Sequence, residues 1–171
     1  MKRRSALKNL SVAFGGLLSL PAWASGWSPE SVQHSSLLNV DEEALLAEIV
    51  ETIIPETDTP GAKSLKVHQF ASRMIKDCYD AEAQSNFNKG LVLINEWSEK
   101  AYQKPFAGLT PAQKKEIFVN MSNSADPAAK KFATMIKRLT IQGYTNSEYY
   151  MVNHLKFNMA PGFYHGCVPV Q

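Results

Sequence analysis

The stretch 53-IIPETDTPGA-62 decides how this chain is read. Upstream of it, Leu45, Leu46, Ile49, Val50, Ile53 and Ile54 recur on one face of a helix expected over about 41–54. Asn39 or Asp41 can cap its start, and Glu42 and Glu43 suit the positive end of its dipole. Pro55 cannot continue the helix. Glu56 and Asp58 then stand beside Thr57 and Thr59, in a turn closed by Pro60 and Gly61. Two carboxylates among hydroxyls admit three readings: a metal site, a catalytic pair, or a corner between helices. The corner accounts for most of the residues. Asp58 or Thr59 can cap a following helix, Pro60 fits its first turn, and Gly61 permits close backbone approach. A partner-docking surface is the second reading of the same stretch.

Working outward, the sequence predicts more helices. Leu65, Val67, Phe70, Met74, Ile75 and Cys78 form a stripe over about 64–80, and Phe87, Leu91, Ile94, Trp97, Ala101 and Tyr102 form another over 81–103. Gly90 weakens the middle of the latter, by about 1 kcal/mol relative to alanine. In 110-TPAQ-113 a threonine cap, a proline at the first helical position and a glutamine three places on make a capping box. Asp126-Pro127 starts another helix through Phe132, Met135, Ile136 and Leu139, expected to end before Gly143, and 145-TNSE-148 reads as a second capping box opening a helix over 147–157. No stretch alternates as a strand does. The expected fold is all-α, about six helices in a single compact domain, with an irregular apolar C-terminal tail, 158-NMAPGFYHGCVPVQ-171.

Residues 1–24 read as an export signal, with 25–171 as the helical domain. A basic start, 2-KRRSALK-8, precedes the apolar 10-LSVAFGGLLSL-20, and 22-AWA-24 offers cleavage after Ala24. The apolar run is about half the roughly 20 residues that span a bilayer. Arg3 and Arg4, followed by Leu7 and Lys8, resemble the twin-arginine signal, read by a translocase that moves folded proteins. Ala6 stands where that signal usually has phenylalanine, which leaves the general secretory route open. Four of the 18 basic residues belong to this segment, so 14 face 16 acidic residues in the remainder. Without a basic excess or a nucleic-acid motif, nucleic-acid binding is not expected.

Motifs for chemistry are missing from the sequence. His34, His68, His154 and His165 include no i, i+4 pair of the kind a helical metal site favours. There is no GxSxG, GxGxxG or P-loop, and no CxxC that would attach haem or build a common zinc site. The expectation is a chain with no catalytic, metal or cofactor-binding residues of its own. Cys78 and Cys167 could pair with each other, pair across to another protein, or stay free. Cys78, on an apolar stripe, reads as a buried free thiol, and Cys167 as unpaired or intersubunit.

Taken together, 53-IIPETDTPGA-62, 139-LTIQGYTNSE-148 and 161-PGFYHGC-167, in that order behind the leader, resemble the family of gluconate 2-dehydrogenase subunit 3. The resemblance covers nearly all of the chain after the leader. One departure is Thr145, where the family often has a second tyrosine after the glycine-tyrosine pair. The resemblance implies a non-catalytic small subunit that escorts, exports and stabilises a periplasmic dehydrogenase of the glucose-methanol-choline type, acting on CH-OH groups of a sugar, sugar acid or polyol. FAD is then expected in the large partner subunit and haem c in a multihaem cytochrome c subunit, and the complex is expected to associate with the membrane through its partner subunits. The motif residues Pro55, Thr57, Asp58, Thr59, Pro60, Gly61, Tyr144, Pro161, Gly162, Tyr164 and Cys167 are the candidate partner interface. The alternative is a stand-alone periplasmic helical protein that binds a small molecule.

Overall fold

A computed structural model describes residues 38–158, 160 and 162. Among them the chain forms six α-helices and one short 3-10 turn, with no strand, so the expected all-α class holds. In chain order the helices are α1 (Val40–Ile53), α2 (Val67–Cys78), α3 (Ala81–Tyr102), α4 (Pro111–Ser122), α5 (Pro127–Thr145) and α6 (Glu148–Asn153), with the 3-10 turn Phe106–Gly108 between α3 and α4.

The start signals behave as their chemistry requires. Asn39 and Glu42 form a reciprocal capping box on α1, and Thr110 and Gln113 form another on α4. Asp80 caps α3 and Asp126 caps α5, each accepting from a first-turn amide. At α6 the cap is Ser147, whose hydroxyl accepts from Tyr150 N. The box expected between Thr145 and Glu148 is not formed, because the Thr145 hydroxyl donates back to the carbonyls of Ile141 and Gln142.

Helix α5 is the axis of the domain and packs against α1, α2, α3, α4 and α6. Its buried side is Ala129, Phe132, Ala133, Ile136, Leu139, Thr140 and Gly143, a stripe with small residues where neighbours come close. Two glycines set those approaches. A methyl group at Gly90 of α3 would overlap the Phe132 ring, and one at Gly143 would lie 2.7 Å from Phe70 and 2.8 Å from Val67 of α2. Gly143 therefore lies inside α5, which runs two residues beyond it, and Gly90 is a contact of the core instead of a weak point in α3. Phe87 completes this region, 6.0 Å from Phe132 between ring centroids.

Four other expectations are corrected. Helix α2 begins at Val67 and not at 64, because Lys66 takes a left-handed conformation (φ 55°) after a turn over 62–66. Helix α6 stops at Asn153 short of 157, and Lys156 is again left-handed. Ala101 is exposed, its place on the buried face of α3 being taken by Ser98, whose hydroxyl satisfies itself on Ile94 O at 2.7 Å. Cys78, the last residue of α2, is exposed and free, since the stripe outlasts the surface that covers it.

Gly90→Ala should destabilise the fold by about 1–3 kcal/mol, the range for an overpacked core, because Phe132 is fully buried and the added methyl would overlap its ring. Urea unfolding followed by circular dichroism checks this. The midpoint should fall, and an unchanged midpoint would contradict the close α3–α5 approach.

Candidate functional site

The corner between α1 and α2 is built around a residue the motif does not contain. Glu51, in the last turn of α1, accepts from Glu56 N with Oε1 (2.7 Å) and from Lys63 N with Oε2 (2.9 Å). One carboxylate thus gathers both ends of the loop onto the helix that precedes it. Ala62 N donates to Ile54 O at 2.9 Å, and Thr57 N to Thr59 O at 3.0 Å. Gly61 is buried against this arrangement, and a Cβ there would lie 2.5 and 2.6 Å from the Glu51 oxygens and 2.7 Å from Glu56 N. The glycine is needed for space, as its place in the motif suggested.

A second carboxylate ties the corner to the bundle. Glu48, one turn earlier, meets Lys63 at 2.5 Å and Lys114 of α4 at 2.6 Å. Lys114 also lies over the Phe106 ring, 5.9 Å from its centroid. Burial alone would raise the Glu48 pKa, but the hydrogen bonds and charges of Lys114 and Lys63 outweigh it and hold the carboxyl below its usual value. Helix α1, the corner and the start of α4 enclose a cleft of about 460 Å³ between Pro55 and Pro111.

Tyr144 fastens the corner from the opposite side, its hydroxyl donating to Pro60 O at 3.1 Å across 84 residues of sequence. Its ring meets Tyr150 edge-on at 6.1 Å, Tyr150 lies 5.1 Å from His154, and His154 lies 5.7 Å from Tyr149. A cleft of about 500 Å³ runs between Leu65 and the outer face of α6. Val152, which lines it, and Leu155 and Phe157 are about half exposed, at 49%, 58% and 50%.

The sequence-predicted residues divide accordingly. Pro55, Thr57 and Asp58 are exposed, Thr59, Pro60 and Tyr144 half-buried, and Gly61 buried, all within one corner. Neither Asp58 nor Thr59 caps a helix and Pro60 does not enter one, because the Glu51 bridge and the turn over 62–66 stand between them and α2. Gly162 is exposed with a left-handed φ of 73°. Pro161, Tyr164 and Cys167 lie outside the described residues, as do Arg3, Arg4, Leu7, Lys8 and Ala24. Glu48, Glu51, Lys63 and Lys114 were missed. One signal pointed to Glu51: an acid at the negative end of a helix dipole is unfavourable unless it serves something else.

Chemistry-bearing side chains do not converge here. Among the described residues there is no group of three His, Cys, Asp or Glu placed to hold a metal ion, and no helix is long and apolar enough to cross a membrane. His68 is half-buried 3.9 Å from Glu43, its pKa lowered by burial with a smaller opposing effect from Glu43. The described domain is thus a helical body with an aromatic-backed corner between α1 and α2. Its family is defined by sequence: the model described as gluconate 2-dehydrogenase subunit 3 matches residues 40–162, and the chain belongs to that family. It is accordingly of the accessory-subunit kind, associated with other subunits of a dehydrogenase. No curated protein and no solved structure matches it.

Two measurements test this geometry. Glu51→Ala leaves two loop amides without their acceptor and should cost about 1–3 kcal/mol in urea unfolding, with faster amide exchange at 56–63; unchanged exchange there would contradict the bridge. Glu48, its folded pKa lowered, contributes stability above its unfolded value of about 4.5 and loses it as pH falls through the folded pKa. Glu48→Gln should therefore be less stable than wild type at neutral pH, and the two should converge as pH falls below the folded pKa of Glu48. A gap independent of pH would show that the charge of Glu48 contributes nothing.

Proposed function

We propose that this chain is the exported, non-catalytic escort of a large FAD-containing dehydrogenase subunit of the glucose-methanol-choline type, and that it docks through the corner at 55–61 and the neighbouring α6. The observation that carries the proposal is the Tyr144–Pro60 hydrogen bond. It joins two of the segments that mark the family, far apart in sequence, into one outward-facing surface.

That surface has the composition of an interface. Half-exposed Val152, Leu155 and Phe157 supply apolar anchors, Tyr149 and Tyr150 supply aromatic area, and Pro55 and Pro60 limit the entropy lost on docking. Catalysis then belongs to the partner, with its FAD, and electrons pass on to a multihaem cytochrome c subunit. The leader gives the escort its reason. FAD is inserted into a folded protein, so a flavoprotein without a signal of its own leaves the cytoplasm only when bound to a folded chain that has one. The twin-arginine translocase would carry both to the periplasm, where the complex meets the membrane through its other subunits.

Replacing Arg3 and Arg4 by lysine keeps the charge and removes the guanidinium pair. Both this chain and its flavoprotein should then remain in the cytoplasm, as read by flavin absorbance and dehydrogenase activity in each fraction. Export of an active flavoprotein from cells lacking this chain would overturn the escort role. Phe157→Glu, on the exposed surface, should weaken capture of the flavoprotein at least tenfold, about 1.4 kcal/mol, without changing the fold.

A further inference from the structure

Helix α5 carries a second feature, roughly 9–21 Å along its axis from Tyr144, on the side turned away from the core. Lys130, Lys131, Lys137 and Arg138 stand at positions i, i+1, i+7 and i+8, and all four are exposed. The helix contains no acidic residue, although α1 has five and no base. Among the described residues no carboxylate lies within ion-pairing distance of any of the four. Beside them opens a cleft of about 490 Å³ whose apolar walls are Tyr79, Pro127 and Met135, with Lys130, Lys131 and Arg138 at its rim. The Tyr79 hydroxyl accepts from Arg138 Nη2 at 2.5 Å, which holds the guanidinium beside the opening. Asp80 and Glu82 line the adjoining cleft that shares Lys131 and Met135, and the Asp80 carboxylate is engaged in capping α3.

We infer that this cleft binds an anionic amphiphile: an apolar chain enters against Tyr79, Pro127 and Met135, while its phosphate or carboxylate head is held by Lys130, Lys131 and Arg138. The volume falls within the range of small-ligand sites, roughly 300–1,000 Å³. The cation spacing adds a stripe that would meet neighbouring headgroups of an anionic leaflet. Apart from Tyr79 the walls come from one helix, whose backbone groups are already bonded within it. An extended acidic peptide therefore finds no main-chain partners, which favours a lipid over a strand-like peptide. The inference does not depend on the escort role, since the cleft shares no residue with the corner.

The test uses the full chain and its Lys130→Gln/Lys131→Gln/Arg138→Gln variant, both with the leader intact so that its contribution is common to the two. Calorimetric titration with dioctanoyl-phosphatidylglycerol, dioctanoyl-phosphatidylcholine, octanoate and inorganic phosphate separates head from chain, and vesicles of phosphatidylcholine with and without one-quarter phosphatidylglycerol report on a bilayer. Binding of dioctanoyl-phosphatidylglycerol, weakened at least tenfold in the variant and absent with phosphatidylcholine and phosphate, is the expected result. Octanoate binding without phosphatidylglycerol binding would assign the site to free fatty acids, still an anionic amphiphile. Equal lipid binding by wild type and variant would overturn the inference, as would a variant that loses only its flavoprotein.

Discussion

The Glu51 carboxylate holds the amides of Glu56 and Lys63 together, and the presentation of the corner follows from that bridge. A proline-rich loop of this length would otherwise sample many conformations, at an entropic cost of about 1–2 kcal/mol per residue when fixed. By satisfying one amide at each end, Glu51 closes the loop onto the last turn of α1, and Gly61 supplies the room for its oxygens. Glu48, Lys63 and Lys114 then tie the closed loop to α4, and Tyr144 ties it to α5. The corner is thus held from three directions by side chains outside its most exposed positions. Pro55, Thr57 and Asp58 remain exposed.

The same division runs through the domain. Helix α5 organises the core with its inner face, where Gly90 and Gly143 let α3 and α2 approach closely, and carries two different surfaces on its outer side. At its C-terminal end Tyr144 supports the corner and the aromatic neighbours on α6. Nearer its N-terminal end Lys130, Lys131 and Arg138, with no ion-pairing carboxylate among the described residues, border an apolar cleft. One helix keeps the two surfaces in fixed relation.

Much of this was legible in the sequence where the signal is local. Asn39, Thr110 and Asp126 cap the helices they were expected to cap, because capping involves only the next three residues. Helix existence followed from apolar spacing. What failed depends on distant neighbours. Gly143 looks like a stop until Phe70 and Val67 are placed against it, and Ala101 and Cys78 lie on their stripes but beyond the reach of the core. In the corner, the motif announced a turn and its glycine, yet the groups that shape it, Glu51 and Tyr144, lie outside it. Thr59-Pro60 resembles a helix start only if the next helix begins at once, and the turn over 62–66 intervenes.

We propose that the corner and α6 form the surface through which this subunit holds a flavoprotein. Hydrogen–deuterium exchange, compared between the chain alone and the complex isolated from the same cells, addresses it most directly. Docking at this surface predicts new protection at 56–61 and 148–157 on complex formation, with the amides of α3 unchanged. Protection confined to α3 or α4, with the corner exchanging as it does in the free chain, would contradict the account.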